Sequence, residues 1–179
     1  MLQVHLGCGR RILPGYLNVD IAPGPGVDVV CDLRALPLAD NSVDFFYSCA
    51  NIEHFGRHEW RGLLVHWFGR LKCGGSLRLS TTDFAAVCAH YRDTETLHDL
   101  LGLVIGGQRD AHDWHGMVFD FDLLREGLEA AGFVRVRRYD WRDTDVGRLG
   151  LDDYSQAYLP HMDKTNGRLM ALNVLADKP

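Results

Sequence analysis

The sequence shows no long apolar run, no ordered cysteine pattern and no visible secretory signal. No stretch approaches the roughly 18 apolar residues that a membrane-spanning helix needs, so we expect no membrane partner. The five cysteines are odd in number and form no C-x-x-C pair, which argues against a disulfide framework or a thiolate metal site. Because no basic segment precedes an apolar stretch at the N-terminus, no secretory signal is visible and we expect a cytoplasmic protein.

An excess of positive charge is also absent. The formal net charge is −5, which argues against a large electrostatic footprint for nucleic acid, so we expect no nucleic-acid partner. With 179 residues, of which 46 % are hydrophobic and 24 % charged, the composition is typical of a globular protein with one core. We therefore predict a single domain over residues 1–179.

A glycine turn between two short apolar runs stands near the start of the chain. The run from Leu2 to Leu6 leads into Gly7-Cys8-Gly9, and a second run from Tyr16 ends on Asp20. Glycines directly after a strand let the backbone turn sharply and approach a ligand. A carboxylate at the tip of the next strand can accept hydrogen bonds from the hydroxyls of a ribose. The pattern indicates a nucleoside site, although a plain turn between two strands would look the same.

The spacing does not fit a dinucleotide site. Ile12 stands where the dinucleotide motif G-x-G-x-x-G has its third glycine, and Asp20 follows Gly7 by only 13 residues. The interval in dinucleotide folds is about 20 residues. A smaller, less anionic nucleoside ligand is therefore favoured.

Several short motifs, taken in order, resemble the class I S-adenosylmethionine-dependent methyltransferases, and in particular the small single-domain group called methyltransferase type 11. The motifs run from His5–Gly9 through Asn18–Asp20, Cys31–Leu33, Asp40–Asp44, Leu71–Gly75, Gly106–Gln108 and Ala131–Phe133 to Leu172–Val174. Each motif is weak alone, but their order and spacing are specific and cover nearly the whole chain.

The resemblance implies an α/β fold: one Rossmann-like, doubly wound sheet of about seven strands, mostly parallel, with an antiparallel last strand between the fifth and sixth. The apolar pattern itself predicts strands over residues 2–6, 16–19, 27–31, 43–48, 76–81, 133–137 and 169–176, and helices over 59–71, 84–91, 94–105 and 123–131. Gly74-Gly75 is expected to end the helix over 59–71.

The same resemblance implies S-adenosylmethionine as the cofactor. The residues that it assigns to cofactor binding are Gly7, Cys8, Gly9, Asp20, Ile21, Asp32, Leu33 and Asn51. Within this set, Asp20 would bind the ribose, and Asp32 with the following amide would bind the adenine.

The crossovers after the first two strands are abbreviated. Residues 10–15 and 21–26 can each hold at most one turn of helix, whereas a parallel crossover usually needs a dozen or more residues. One face of the sheet would therefore be thinly covered. We expect either a second copy of the chain, in a homodimer, or the long segment 143–168 to pack there.

Three residues are candidates for catalysis. His54 follows the central strand, and His115 lies in a polar loop expected to face the acceptor; either could act as a base near neutral pH. Asp83 follows the fifth strand, where it could line the acceptor pocket or simply cap a helix. His112 and His115 have an H-x-x-H spacing, but without a third ligand we predict no metal site.

The leading prediction is methyl transfer from S-adenosylmethionine to a small-molecule acceptor, with sugars or glycans among the candidates. Two alternatives remain open at this stage. One is a nicotinamide-dependent oxidoreductase, opposed by Ile12 and the short interval to Asp20. The other is a non-catalytic cofactor-binding subunit that works with a partner protein, which the missing helices make conceivable.

Overall fold

A computed structural model describes residues 1–179. Its centre is one seven-stranded sheet with the strand order β3-β2-β1-β4-β5-β9-β6. The strands are β1 (Gln3–Leu6), β2 (Leu17–Asp20), β3 (Val29–Val30), β4 (Val43–Cys49), β5 (Leu71–Thr82), β6 (Val134–Arg138) and β9 (Ala171–Asp177). A separate two-stranded hairpin pairs β7 (Tyr158–Leu159) with β8 (Arg168–Leu169). The predicted α/β sheet is thereby confirmed.

The strand directions create a switch in the winding of the sheet. From β1 the chain adds β2 and then β3 on one side, and it then crosses to add β4 and β5 on the other, all in parallel. Strand β9 is antiparallel to both β5 and β6, as predicted. In open α/β sheets the ligand crevice lies where the winding reverses, at the carboxyl ends of the strands. Here that point lies between β1 and β4.

The helices are α1 (Trp60–Arg70), α2 (Phe84–Thr94), α3 (Leu101–Ile105), α4 (Phe121–Ala130) and α5 (Asp145–Arg148). The main core lies where α1 and α4 pack on one face of the sheet. The apolar stripe of α1 is fully buried there through Trp60, Leu64 and Trp67, which have no exposed area. Burying a side chain of this size stabilises the fold by about 1.5–3 kcal/mol. None of the helices is both long and apolar enough to span a membrane.

The opposite face of the sheet is polar. Its buried side chains include His5, Asn18, Tyr47, Arg78, Ser80 and Asn173. These groups bond to one another and to the loops above them: Ser80 Oγ donates to Asn173 Oδ1 at 2.7 Å, and Leu13 N donates to Asn18 Oδ1 at 2.9 Å. A face built from hydrogen-bonding groups needs polar partners above it, because a buried polar group left unpaired is costly.

Residues 141–159, here called the C-terminal cover, supply those partners. Asp145 forms an ion pair with Arg78 at 2.6 Å, and Asp153 accepts a hydrogen bond from Tyr47 Oη at 2.5 Å. Val146 is buried against Leu13 and Tyr47. Two occupants were predicted for the thinly covered face. In the structure the segment from residue 143 onward packs there, and a homodimer stays a prediction.

The end of α1 differs from the sequence prediction. The helix ends at Arg70, and Leu71 already pairs with Val43 in the sheet, so the fifth strand begins before Gly74-Gly75 rather than after it. Gly74 has a φ of +79° and lies inside β5. The glycines therefore form an irregular stretch of the strand, at a register shift opposite Val43–Phe45, and the prediction that they end the helix is wrong.

The bond between Tyr47 and Asp153 predicts the cost of loosening the C-terminal cover. Replacing Tyr47 with Phe removes the hydroxyl and leaves the Asp153 carboxylate short of a donor, so the free energy of unfolding should fall by about 1.5–3 kcal/mol. Urea denaturation measures this difference. The matched control is Tyr91→Phe, because Tyr91 is 49 % exposed. Equal stability of the two variants would contradict the importance of the bond.

Candidate functional site

Four predicted site residues lie at one edge of the sheet. Gly7 follows β1, Asp20 ends β2, Asp32 follows β3 and Asn51 follows β4. Because these strands are parallel, their carboxyl ends meet at the same edge, beside the switch in winding. The structure thus brings together the groups that sequence reasoning assigned to one ligand.

The glycine turn is closed by hydrogen bonds to β2. Gly7 and Gly9 have φ values of +63° and +52°, which glycine adopts without the Cβ clash of other residues. Gly9 N donates to Asp20 Oδ2 at 2.7 Å, and Cys8 N donates to Val19 O at 3.0 Å. Burial raises the pKa of the Cys8 thiol to about 11, so this thiol is protonated at neutral pH and is no nucleophile.

Asn51 supports the glycine turn from the β4 side. Its Nδ2 donates to Leu6 O at 3.0 Å and to Cys49 O at 2.7 Å. A Cβ placed on Gly7 would collide with the Asn51 side-chain amide. Gly7 is therefore required for two reasons, its positive φ and the close approach of Asn51. Sequence reasoning placed both residues at the site but did not foresee their contact.

Asp32 begins a short 3₁₀ turn and is clasped by an arginine. Its carboxylate accepts from Arg34 N at 2.8 Å and from the Arg34 guanidinium at 2.6 Å, while Arg34 also pairs with Glu59 at 2.7 Å. The Arg34 contacts hold the pKa of Asp32 below its usual value, so the carboxylate is ionised. Of its predicted neighbours in the site, Leu33 is buried and Ile21 is 42 % exposed.

The two predicted histidines meet at the crevice. The His54 and His115 rings lie 4.9 Å apart, centre to centre, in an edge-to-face arrangement. His54 Nδ1 lies 3.0 Å from Trp114 O, and His115 Nδ1 lies 3.1 Å from Leu103 O. A carbonyl only accepts, so the Nδ1 of each ring carries a proton, and the neutral form of His115 has its lone pair on Nε2. Burial, aided by His54, lowers the pKa of His115, which keeps its ring neutral near pH 7.

The loop that carries His115 is docked on the residue before His54. The backbone carbonyl of Glu53 accepts from Gly116 N at 2.7 Å and from Met117 N at 3.1 Å. The Glu53 carboxyl is 2 % exposed, its Oε2 has no partner, and burial raises its pKa. Sequence reasoning missed Glu53. An acid next to His54 after the central strand was the available signal, but its burial depends on the loop above it.

Asp83 lies apart from the histidine pair. Its Oδ1 caps α2 by accepting from Ala85 N at 3.1 Å, and its Oδ2 accepts from Arg138 at 3.0 Å. Both carboxylate oxygens are thus engaged in holding the fold, and no contact links them to His54 or His115. For metal ions, no group of three His, Cys, Asp or Glu side chains with suitable geometry is present.

The first part of the chain matches a model of a known protein family. Residues 5–79 match the family model described as a methyltransferase domain, Methyltransf_11. That segment holds the glycine turn, both carboxylates, Asn51 and His54. No curated protein matches the sequence significantly.

Solved structures share the fold over nearly the whole chain. A methyltransferase of Thermotoga maritima, described as a possible histamine N-methyltransferase, is 15 % identical with a TM-score of 0.64, over 99 % of this chain and 82 % of that one. An S-adenosylmethionine-dependent methyltransferase of Archaeoglobus fulgidus is 15 % identical with a TM-score of 0.60, over 98 % and 85 %. A Haemonchus contortus phosphoethanolamine N-methyltransferase bound to S-adenosylmethionine is 14 % identical with a TM-score of 0.57, over 100 % and 49 %. At these identities the likeness establishes the fold.

The edge of the sheet fits an adenosyl cofactor. A Cβ on Gly9 would meet no atom within 4 Å, so the turn leaves open space beside its backbone. Asp20, which accepts the amide of Gly9, borders that space, and Asp32 follows the neighbouring strand β3. Carboxylates can accept hydrogen bonds from ribose hydroxyls. The residues present therefore suit S-adenosylmethionine, the cofactor that the family match supports.

The contact between Gly7 and Asn51 predicts a sharp penalty for a single methyl group. Gly7→Ala forces a residue with a Cβ into a positive φ and against the Asn51 amide, and we expect a loss of at least about 2 kcal/mol in stability. Thermal unfolding measures it. Gly62→Ala is the control, because a Cβ at this position in α1 meets nothing within 4 Å and Ala favours a helix by about 1 kcal/mol. Equal melting temperatures for both variants would contradict the steric argument.

Proposed function

We propose that this chain, which the family match and the shared fold support as a class I S-adenosylmethionine-dependent methyltransferase, methylates a small molecule bound in the crevice beside His54 and His115. The observation that carries the proposal is the meeting of the glycine turn, two strand-end carboxylates and the His54–His115 pair at one sheet edge. When bound, S-adenosylmethionine supplies an electrophilic methyl group and leaves as S-adenosylhomocysteine.

The residues at the glycine turn are proposed to position the cofactor. Asp20, which already orders the turn through Gly9 N, would accept hydrogen bonds from the ribose. The Asp32 carboxylate and the Leu33 amide would bind the adenine. The remaining proposed contacts come from the backbone and side chains of Gly7, Cys8, Gly9, Ile21 and Asn51.

His115 is proposed as the base, with His54 beside it. Its Nδ1–H is held by Leu103 O, so Nε2 is free to take the proton of an acceptor hydroxyl as the methyl group is transferred. The lowered pKa of His115 keeps this nitrogen unprotonated near neutral pH. Asp83 is a weaker candidate, because Ala85 N and Arg138 engage both of its carboxylate oxygens.

A small acceptor suits the shape and charge of the chain. A groove of about 680 Å³ lies beside His115, within the range of about 300–1,000 Å³ for small-molecule sites. The net charge of −5 disfavours nucleic acid. Sugar or glycan hydroxyls stay among the candidate acceptors, and a cytoplasmic location stays a prediction.

A ligand panel tests the cofactor assignment. S-adenosylmethionine or S-adenosylhomocysteine at about 100 times its dissociation constant should stabilise the protein by about 2.7 kcal/mol, read as a rise in melting temperature, whereas NAD should give no shift. Asp20→Ala removes the proposed ribose acceptor, so the dissociation constant for S-adenosylhomocysteine should rise by about 10- to 100-fold.

The control for the panel is Asp99→Ala, because the Asp99 side chain is 59 % exposed and pairs only with the neighbouring His98. It should bind S-adenosylhomocysteine as the parent chain does. Stabilisation by NAD alone would favour the oxidoreductase alternative. Unchanged affinity in Asp20→Ala would remove Asp20 from the site.

Turnover separates an enzyme from a cofactor-binding subunit. A screen of small-molecule hydroxyl and amine acceptors, read by the formation of S-adenosylhomocysteine, should identify at least one substrate. Binding of S-adenosylhomocysteine without turnover on any acceptor would instead favour the non-catalytic partner subunit.

The role of His115 predicts a pH profile. A base must be neutral to act, and the pKa of His115 is lowered from its usual 6.5, so kcat on a hydroxyl acceptor should rise with pH below 6.5 and be flat above it. His115→Gln should lower kcat by about 100-fold and abolish that rise. His98→Gln is the control, because the His98 side chain is 92 % exposed. Parent-like kcat and pH dependence in His115→Gln would contradict the role.

A further inference from the structure

We propose that the groove beside His115 recognises an anionic group, so that the acceptor is an amphipathic small molecule bearing a phosphate or a carboxylate. The inference rests on the proposed function, because it assigns the acceptor side of the same site. It follows from the charge, the free hydrogen-bonding capacity and the apolar wall of this groove.

The groove lies between the start of α1 and the segment that follows His115. Its volume is about 680 Å³, and its floor and walls also draw on α3 and α4 through Val104 and Leu123. His115 lines it and contacts His54, which comes three residues after Asn51 at the glycine turn. A molecule in the groove would therefore lie next to the proposed base and near the cofactor edge.

Two arginines, Arg57 and Arg61, line the groove beside His58 and His115, and an arginine keeps its positive charge at neutral pH. No carboxylate lines it, although the chain as a whole has more acidic than basic residues, with 24 Asp and Glu against 19 Lys and Arg. A concave site lined by one sign of charge concentrates ligands of the opposite sign. The lining therefore selects for an anion.

Part of this basic lining is free to bind a ligand. Two carboxylates close in sequence or space to the lining are already paired: Glu59 with Arg34, and Glu126 with Arg61. Arg57 and His58, both exposed at the groove, have no such partner. Arg57 can offer a two-pronged contact to a carboxylate or a phosphate, the geometry that a guanidinium favours.

Arg61 has a different role at the groove wall. Its guanidinium stacks on the ring of Trp60 at 4.3 Å, and its Nη2 contacts Glu126 at 3.2 Å. These contacts hold the cation in place, and the Glu126 carboxylate offsets part of its charge. Arg57 is therefore the arginine best able to discriminate between charged and neutral ligands.

The rest of the lining is apolar. Met117, Val118, Val104 and Leu123 face the groove, and such a surface favours an apolar body. A ligand that places a ring or short chain on these residues and an anion near Arg57 would use both parts of the lining. That combination defines the proposed acceptor class.

Two simple probes test the inference on the full chain saturated with S-adenosylhomocysteine. Phenyl phosphate carries a ring and an anion, and benzyl alcohol carries a similar ring without charge. In calorimetric titrations, phenyl phosphate should bind at least about tenfold more tightly than benzyl alcohol. Arg57→Gln should weaken phenyl phosphate by about fivefold and leave benzyl alcohol and S-adenosylhomocysteine unchanged.

The matched control is Arg148→Gln, which removes an exposed arginine at the end of α5 in the C-terminal cover and should bind phenyl phosphate like the parent chain. Equal affinity for the two probes, or equal effects of Arg57→Gln and Arg148→Gln, would overturn the inference. Failure of S-adenosylhomocysteine to bind the parent chain would instead overturn the proposed function, so the two failures are distinguishable.

Discussion

The turn at Gly7–Gly9 depends on support from the two strands beside β1. On one side, Asp20 at the end of β2 accepts the amide of Gly9 at 2.7 Å; on the other, Asn51 after β4 donates to Leu6 O at 3.0 Å. The turn is therefore held at the point where the sheet changes its winding direction. The same two residues, Asp20 and Asn51, belong to the proposed cofactor site.

The two faces of the sheet are covered in different ways. One face of the sheet carries an ordinary helical core with α1 and α4, whereas the other is a polar surface closed by the C-terminal cover. Arg78 and Tyr47, both buried, fix the cover through Asp145 and Asp153. The C-terminal cover has no long helix, yet it covers the sheet face that crossover helices would otherwise cover. It can do so because its ion pairs and hydrogen bonds match the polar face beneath it.

Much of this arrangement could be predicted from sequence, because it follows from local patterns. Each of Gly7, Asp20 and Asp32 comes directly after an apolar run, and parallel strands bring their ends together. The helix cap at Asp83 follows from residue type and position, and the structure confirms it. The family match and the shared fold confirm the resemblance to methyltransferases.

Contacts between distant segments could not be predicted. The approach of Asn51 to Gly7, the ion pair between Arg34 and Glu59, and the docking of Gly116 on Glu53 O depend on how loops meet in three dimensions. The end of α1 was misplaced for a similar reason. Gly74-Gly75 resembles a helix end, but pairing of Leu71 with Val43 in the sheet extends the strand backward to residue 71.

We propose, above all, that the glycine turn, Asp20 and Asp32 together form the binding site of an adenosyl cofactor. A crystal structure of the chain with S-adenosylhomocysteine tests it most directly. We expect ribose hydroxyls within hydrogen-bond distance of the Asp20 carboxylate, the adenine beside Asp32 and the amino-acid tail against Gly7–Gly9. Density for the ligand elsewhere, with Asp20 bonded only to its own backbone neighbours, would contradict it.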